Sequence, residues 1–238
     1  DKGIFGYGNA GSQVSMSNLV SNTGVVATDV TGVGTARKAV AACGYGYDKG
    51  IFGFGHDGSN YVGMTNLVSN TGVVATDVTA VGTVRAALAA TEYGGDKGIF
   101  GFGQWTATKT AITNLVSNAG VVATDTAGVG TARGEIPAAC AYDEDKGIFG
   151  FGHDGSSVVS MTNLVSNAGV VATDVTGVGT ARNSIAATQY GSDKGIFGFG
   201  TTGSDVGMTN LVSNAGVVAT DVTAVGTARR EPGACSFN

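Results

Sequence analysis

The side chains that could take part in chemistry or ligand binding are few, and they lie in repeated segments. Two His-Asp pairs, His56-Asp57 and His153-Asp154, each precede a Gly-Ser dipeptide, and the single tryptophan, Trp105, lies in a third polar segment. Histidine and aspartate can ligate a metal, but two separate pairs supply too few ligands for a tetrahedral zinc site. An exposed aromatic ring beside polar donors suits stacking on a sugar. This pattern favours binding, and neither a metal nor another cofactor is expected.

The cysteines do not indicate catalysis. Cys43, Cys140 and Cys235 stand at one position of a repeat, where Thr91 and Thr188 stand in the other copies. An odd number of cysteines that exchange with threonine indicates small buried side chains without a disulfide framework. No histidine recurs where it could activate a serine or cysteine. The sequence therefore predicts a protein that is not an enzyme.

Composition excludes several other classes of protein. The chain has 238 residues, of which 42% are hydrophobic and 13% charged, with 41 glycines and only two prolines. This balance is not that of a disordered polyelectrolyte, and the glycines have no collagen period. No apolar run approaches the length of a membrane span. A net charge of −5 without a basic cluster argues against nucleic acid as a partner.

A repeat provides the elements that must position these residues. The string DKGIFG[YF]G occurs five times, and each copy continues with NLVSN, VVATD and a TAR or TVR segment. The copies cover residues 1–47, 48–95, 96–144, 145–192 and 193–238. Such a period within one chain is the signature of a repeat architecture. We expect all five copies to form a single domain.

Each copy predicts four short strands and no helix. KGIFGFG is apolar and aromatic, MTNLVSN alternates, and VVATDV follows an Asn-Thr-Gly or Asn-Ala-Gly turn. The small apolar segment after the arginine, such as Ala87-Leu88-Ala89-Ala90, suits an innermost strand. The glycines and β-branched residues leave no apolar stripe with a helical period. The expected class is all-β.

Four strands per copy favour a five-bladed β-propeller of four-stranded antiparallel blades. The C-terminal segment GACSFN matches the small apolar segments of the other copies, so it is predicted to join the first blade as its inner strand and close the ring. A β-solenoid with two or three coils per copy is the competing architecture. We prefer the propeller because a solenoid would need distinct caps.

The order of small inner strand, GIFGFG, polar loop, NLVSN, VVATD and TAR resembles a kelch-type repeat. It is most similar to kelch-like repeats of tail-fibre and virion proteins of tailed phages, notably those of cyanobacteria. The resemblance extends over all five copies and implies a propeller in a virion or extracellular location. It departs from kelch in its Gly-Phe-Gly or Gly-Tyr-Gly motif, and in valine and alanine at the place of the fourth-strand tryptophan.

The charges that recur in every copy are predicted to be structural. Each arginine follows the aspartate of VATD by eight residues, which favours a hydrogen-bonded clamp within a copy or between neighbours. An anion site around the axis is the alternative. The predicted ring comprises Asp29, Arg37, Asp77, Arg85, Asp125, Arg133, Asp174, Arg182, Asp221 and Arg229.

The copies differ mainly in two connections, one after GIFGFG and one after the arginine. We expect both connections on one face of the molecule, as in a scaffold that presents a recognition surface. Drift in unconstrained loops is the alternative interpretation. The candidate ligand-binding residues are Asn9, His56, Asp57, Gln104, Trp105, His153, Asp154, Thr201, Thr202 and Asp205.

The sequence thus predicts a non-enzymatic virion or surface module, such as a phage tail-fibre or decoration protein. Its expected partner is a host-surface glycan or a neighbouring virion protein, bound through several weak sites. We expect it to reach its location by assembly, as part of a larger structure. The alternatives are a purely structural part, a free soluble carbohydrate-binding lectin, and a designed or reconstructed propeller with no natural ligand.

Overall fold

The computed structural model describes residues 3–236. All its regular structure is β-strand, and none of its residues form a helix long and apolar enough to span a bilayer. The strands are β1 (Gly3–Asn9), β2 (Gln13–Val20), β3 (Ala41–Tyr45), β4 (Lys49–His56), β5 (Tyr61–Val68), β6 (Ala89–Tyr93), β7 (Lys97–Gly101), β8 (Gln104–Trp105), β9 (Thr108–Lys109), β10 (Thr113–Val116), β11 (Ala138–Tyr142), β12 (Lys146–His153), β13 (Val158–Val165), β14 (Ala186–Tyr190), β15 (Lys194–Gly198) and β16 (Thr209–Val212).

The strands form one small antiparallel sheet per copy. The second to fifth sheets are three-stranded, in the orders β3-β4-β5, β6-β7-β10, β11-β12-β13 and β14-β15-β16, and each takes its inner strand (β3, β6, β11 or β14) from the end of the preceding copy. The first copy has the two-stranded sheet β1-β2, and β8-β9 is a separate short hairpin in the third copy. In each three-stranded sheet the KGIFG strand lies in the centre. The all-β prediction is therefore confirmed.

The fourth predicted strand of each copy is an irregular segment. In the second copy, Val74 and Val78 make only single bridges, to Val68 and Thr65 of β5. Between these bridges, the Asn66 side-chain amide donates to the Ala75 carbonyl at 3.0 Å. A side chain thus takes a backbone acceptor that a ladder would have paired, so the segment does not continue as a strand. The predicted four-stranded blade is a three-stranded sheet in this structure.

A bulge separates the two halves of the GIFGFG strand. The register of β4 against β5 shifts between Gly53 and Gly55, and Phe54 between them has a φ of 61°. Positive φ is rare for a bulky residue, so the surrounding packing must enforce it. Phe54 is fully buried. The bulge therefore turns the second aromatic ring of the motif into the contact with the next copy.

Consecutive sheets stack through glycine and phenylalanine. A β-carbon built on Gly53 would lie 2.7 Å from Cζ of Phe100 in the next copy. The same phenylalanine packs edge-on against Phe54, with ring centroids 5.2 Å apart. One core cluster contains Ile51 and Phe54 of the second copy together with Leu88 and Phe100, so the hydrophobic core is shared between neighbours. A single copy could not bury these rings alone.

The row of sheets is open. Among residues 3–236, no backbone hydrogen bond joins the first copy to the fifth, and no sheet is closed on itself. Phe5 in the first copy is 59% exposed, whereas its equivalent Phe100 is completely buried. Residues 233–236 form no strand, and Pro232 to Ala234 lie against β14 and β15 of the fifth copy.

The structure therefore corrects the prediction that the C-terminal strand completes the first sheet and closes a ring. The reason lies in the last segment: Pro232 to Ala234 lie against β14 and β15, and among residues 3–236 the partner of β1 is β2. Sequence similarity between the segments fixes which strands are equivalent, but it contains no information on the rotation between sheets. The relation of residues 237–238 to this segment lies outside the described residues.

Candidate functional site

The repeated arginine of each copy lies inside the stack and binds the next copy. Arg85 is completely buried, and its guanidinium lies 4.2 Å from the centroid of the Phe54 ring. Its Nε donates to the Phe102 carbonyl at 2.9 Å, and a terminal nitrogen donates to Asn114 Oδ1 at 2.7 Å. Burial lowers the pKa of Arg85 to about 10, which leaves it charged at neutral pH. Arg85 is therefore a buried cation that connects two neighbouring sheets.

The aspartate of the motif completes this clamp through an asparagine. Asn114 donates its amide to Asp125 Oδ1 at 2.9 Å, and Thr83 of the preceding copy donates to Asp125 Oδ2 at 2.7 Å. Partial burial by itself raises the pKa of Asp125, but the hydrogen bonds from Asn114 and Thr83 outweigh it, and the pKa lies below its usual value. The order of bonding is therefore arginine, asparagine, aspartate.

The predicted structural residues form a row along the stack. Between neighbouring copies, Arg37, Arg133 and Arg182 approach Asp77, Asp174 and Asp221 to 3.8–3.9 Å. Direct ion pairing is thus secondary to the asparagine bridge. At the two ends, Asp29 binds Asn18 of its own copy, and the exposed Arg229 donates to the Thr227 carbonyl. The structure does not bring these two residues together.

The two variable connections lie side by side. Backbone groups of Lys38 and His56 exchange hydrogen bonds of 3.0 and 2.9 Å, so the segment after one arginine pairs with the loop of the next copy. Ala86 with Gln104, Gly134 with His153, and Asn183 with Thr201 repeat this exchange. We call this series of paired connections the variable edge. It runs through all five copies because each pair takes one connection from each of two neighbouring copies.

The two His-Asp pairs form self-contained turns. His56 Nδ1 accepts from the Gly58 amide at 3.0 Å, and Asp57 Oδ1 accepts from the Ser59 and Asn60 amides at 2.8 and 2.7 Å. His153 and Asp154 make the same bonds in the fourth copy. The carboxylates are committed to their own turns. The histidines present only Nε2 for a further bond.

A polar cluster occupies the variable edge where the third and fourth copies meet. Lys109 Nζ donates to Gln104 within the hairpin and to Glu135 Oε1 at 2.8 Å. Asn183 donates to the other oxygen of Glu135 at 2.7 Å, and His153 Nδ1 lies 3.9 Å from Glu135. The carboxylate thus joins the third and fourth copies.

Charge complementarity stabilises this cluster. Only 8% of the Lys109 side chain is exposed, so its ion pair with Glu135 is poorly screened by water. Burial raises the pKa of Glu135, but the lysine hydrogen bond and charge lower it further, and the result lies below the usual value. Asn183 Oδ1 is buried without a hydrogen-bond partner among the described residues. The cluster therefore retains one unused acceptor.

Trp105 lies on the hairpin that this cluster holds. Gln104 pairs with Lys109 and Trp105 pairs with Thr108, in a two-residue ladder. Successive side chains of a strand point to opposite faces, so Trp105 projects away from the side that carries Gln104. Trp105 is half-buried, and Thr106 and Ala107 beyond it are exposed. The hairpin can thus present one aromatic face while its polar face anchors it.

The candidate residues of the first and fifth copies lie at the outer parts of the edge. Asn9 is exposed and pairs with Gln13 across the β1-β2 hairpin. In the fifth copy, Thr201 is buried and bridges Asp205, while Thr202 is exposed. These residues do not converge on Trp105. The ten sequence candidates are therefore spread along the variable edge, and only Gln104, Trp105 and His153 lie at or near the polar cluster.

Sequence reasoning did not select Lys109, Glu135 or Asn183 as site residues. Each lies in a variable connection, and Lys109 and Glu135 are among the few charges outside the repeated set. Opposite charges at non-repeated positions of the two variable connections of the third copy were the available signal. A sequence period does not reveal that these two connections meet.

The cysteines have two different environments. Cys140 is buried, which raises the pKa of its thiol to about 12, and Cys43 is shifted in the same direction by burial. Cys235 is exposed. The expectation of a buried position thus fails for Cys235, because no following sheet covers it. Within residues 3–236, no three His, Cys, Asp or Glu side chains are grouped as a metal site would require.

Comparison with known proteins gives no family model that matches the chain and no matching curated protein. The functional argument therefore depends on the geometry of the variable edge.

Proposed function

We propose that the chain is a non-enzymatic structural and binding module of a virion or cell surface, of the tail-fibre or decoration type, that binds a host-surface glycan. The binding surface is the variable edge, and Trp105 is its aromatic platform. The proposal requires an ordered row of loops and does not depend on closure of the five copies into a five-bladed propeller.

The anchored hairpin is the observation that carries this proposal. Lys109 joins the two-residue hairpin of Trp105 to Glu135, which is itself bonded to Asn183 in the next connection. A side chain held in this way loses little conformational freedom when a ligand binds, and that raises affinity. An aromatic face with amide and charged groups on neighbouring loops matches the apolar face and hydroxyl groups of a sugar ring.

The regular stacking adds valency. The turns of His56 and His153 and the connection of Thr201 occupy equivalent places along the edge. Gly155 in the fourth-copy turn is close to the Lys109 side chain, so neighbouring loops form a continuous surface. Weak contacts of several loops with one polymeric glycan would combine, since each bound loop raises the local concentration of the next.

The test combines a glycan array with intrinsic fluorescence. Trp105 is the only tryptophan in the chain, so its emission reports on the proposed site directly. We expect binding to a defined group of glycans, a change in emission on titration, and at least about a tenfold loss of affinity in Trp105→Ala, equivalent to about 1.4 kcal/mol.

Two further variants sharpen this experiment. Lys109→Met releases the hairpin but keeps the tryptophan, so affinity should fall while the aromatic platform remains. Tyr61→Ala is the matched control, because Tyr61 is the aromatic residue in the corresponding loop of the second copy and packs against His56. Binding that survives Trp105→Ala, or a folded protein that binds no glycan, would contradict the proposal.

A further inference from the structure

The interface between consecutive copies is built four times from the same parts. A phenylalanine of the following copy covers a glycine of the preceding one, as Phe149 covers Gly101. An arginine of the preceding copy enters the following sheet, as Arg182 does when it donates to Asn210 Oδ1 at 2.6 Å. At three of these four interfaces the inner strand of the following sheet also packs on the preceding inner strand, as β14 packs on β11.

The first copy presents the receiving half of this interface, and no part of residues 3–236 is recorded in it. Phe5 is 59% exposed, although its equivalents in the next four copies are at most 5% exposed. Asn18 and Asp29 are bonded to each other at 2.8 Å, and no arginine is recorded in contact with them. Their equivalents Asn66 and Asp77 hold Arg37.

The first sheet also has a free edge with a cavity beside it. Within residues 3–236, β1 pairs only with β2, whereas the central strand of every three-stranded sheet has partners on both sides. A cavity of about 630 Å³ lies between this edge and the second sheet, and its lining includes Gly3, Ile4, Ala42 and Cys43. An inner strand paired with β1 would occupy this space, since each inner strand packs on the next one along the stack, as β6 packs on β3.

The fifth copy presents the inserting half. A β-carbon on Gly198 would meet only Thr209, with no phenylalanine over it. Arg229 lies 3.7 Å from the centroid of the Phe199 ring, as the other arginines lie over their own aromatic rings, but it is exposed. Residues 233–236 are exposed and have no strand partner, and the segment before them lies against β14. These residues have the sequence of an inner strand.

We propose that molecules of this chain associate head to tail, with residues 233–236 of one molecule added to β1 of the next molecule. Phe5 of one molecule then covers Gly198 of the preceding molecule. Arg229 of that preceding molecule enters the pocket formed by Asn18 and Asp29. The opposite charges of Arg229 and Asp29 match across this contact. The interface is heterologous, and a heterologous contact that does not close into a ring generates a filament. Addition of a strand to a free sheet edge is an established mode of protein association.

A second molecule of the chain fits this site better than the chain's own first repeat, because no hydrogen bond in the described backbone joins the first repeat to the fifth. A filament of this type would continue the row of variable loops from one chain to the next.

Disulfide trapping tests the strand register. In the three-stranded sheets the residue equivalent to Cys235 lies opposite an isoleucine, as Cys43 lies opposite Ile51 and Cys140 opposite Ile148. Cys235 should therefore lie opposite Ile4 of the next molecule, at a separation that permits a disulfide. We expect Ile4→Cys, oxidised with diamide, to give a reducible ladder of dimers, trimers and longer species.

The controls separate this result from others. The parent chain has Cys235 without the new thiol and should give no ladder beyond dimers, and Cys235→Ser in the Ile4→Cys background should abolish the ladder. A cross-link confined to monomers would show that the two faces meet within one chain, and it would overturn the proposal. A folded Ile4→Cys variant that forms no cross-link would overturn it as well.

Charge exchange provides a test without oxidation. Asp29→Arg and Arg229→Asp each place like charges at the contact, so each variant alone should sediment as a monomer where the parent chain associates. A one-to-one mixture should associate again, because both kinds of contact between the two different variants pair opposite charges. A parent chain that remains monomeric throughout the micromolar range, or a mixture that shows no recovery, would refute head-to-tail association.

Discussion

Replacement of a buried arginine by methionine tests whether the repeated clamp stabilises the stack. In Arg85→Met, the Phe102 carbonyl and Asn114 Oδ1 lose their donors while the side chain of Asn114 stays buried. A buried acceptor left without a partner costs roughly 1–3 kcal/mol. The guanidinium also leaves the Phe54 ring, which contributes up to about 2 kcal/mol in a desolvated site. Methionine recovers part of the packing, so we expect a loss of about 3–5 kcal/mol, the range for broken buried ion pairs.

The matched control is Arg229→Met. Arg229 stands at the same position of the fifth copy, but it is exposed, and its recorded hydrogen bond goes to the Thr227 carbonyl. Exposed charged groups contribute about 0–1 kcal/mol, so this variant should unfold almost as the parent chain does. The measurement is urea unfolding followed by circular dichroism, at protein concentrations low enough to exclude association between chains.

The comparison of the two variants decides the outcome. Equal losses in Arg85→Met and Arg229→Met would show that the arginine acts within its own copy and does not connect neighbouring sheets. A negligible loss in Arg85→Met would refute the clamp altogether. Because repeat proteins unfold through nearest-neighbour interfaces, the slope of the transition should be examined together with its midpoint.

Two further predictions concern packing and pH. Gly101→Ala should destabilise the chain by about 1–3 kcal/mol, because its β-carbon would lie 2.7 Å from a phenylalanine ring, whereas Gly198→Ala should be close to neutral in urea unfolding. The pKa of Asp125 is lowered in the folded state, mainly through its asparagine and threonine partners acting against burial, so its stabilising effect is present above the unfolded pKa of about 4 and disappears as the pH falls through the folded value. The urea midpoint should therefore decrease below about pH 4, and less steeply in Asp125→Asn; a midpoint unchanged between about pH 5 and 3 would contradict this assignment.

The local structure could be predicted because short-range chemistry dictates it. NLVSN alternates and pairs in register with the KGIFG strand, as in the pairing of Ile51 with Leu67. The turn after this strand requires glycine, and Gly72 has the expected positive φ of 83°. The polar nature of the His-Asp turns also follows from their residues, since an aspartate before Gly-Ser accepts the next backbone amides.

The clamp could be predicted only in part. The sequence shows equal numbers of arginines and aspartates at fixed spacing, but it does not show that Asn66 stands between them. Alternation predicts which residues share a face of a strand. It does not predict which neighbour covers that face, because both faces of the middle sheets are buried against other copies. The polar cluster was missed for a related reason, because Lys109 and Glu135 belong to the two separate variable connections of the third copy and meet only in the folded chain.

The sequence by itself determined the repeat unit, the strands and turns within it, and which residues vary from copy to copy. These properties depend on interactions between residues close in the chain, so periodicity and turn chemistry express them directly. Only the tertiary structure decided that the fourth segment is irregular, that the arginine acts on the following copy, and that the row of sheets remains open. The first follows from the Asn66 amide, which binds the Ala75 carbonyl, and the other two depend on contacts between adjacent sheets, such as the packing of Phe100 on Gly53.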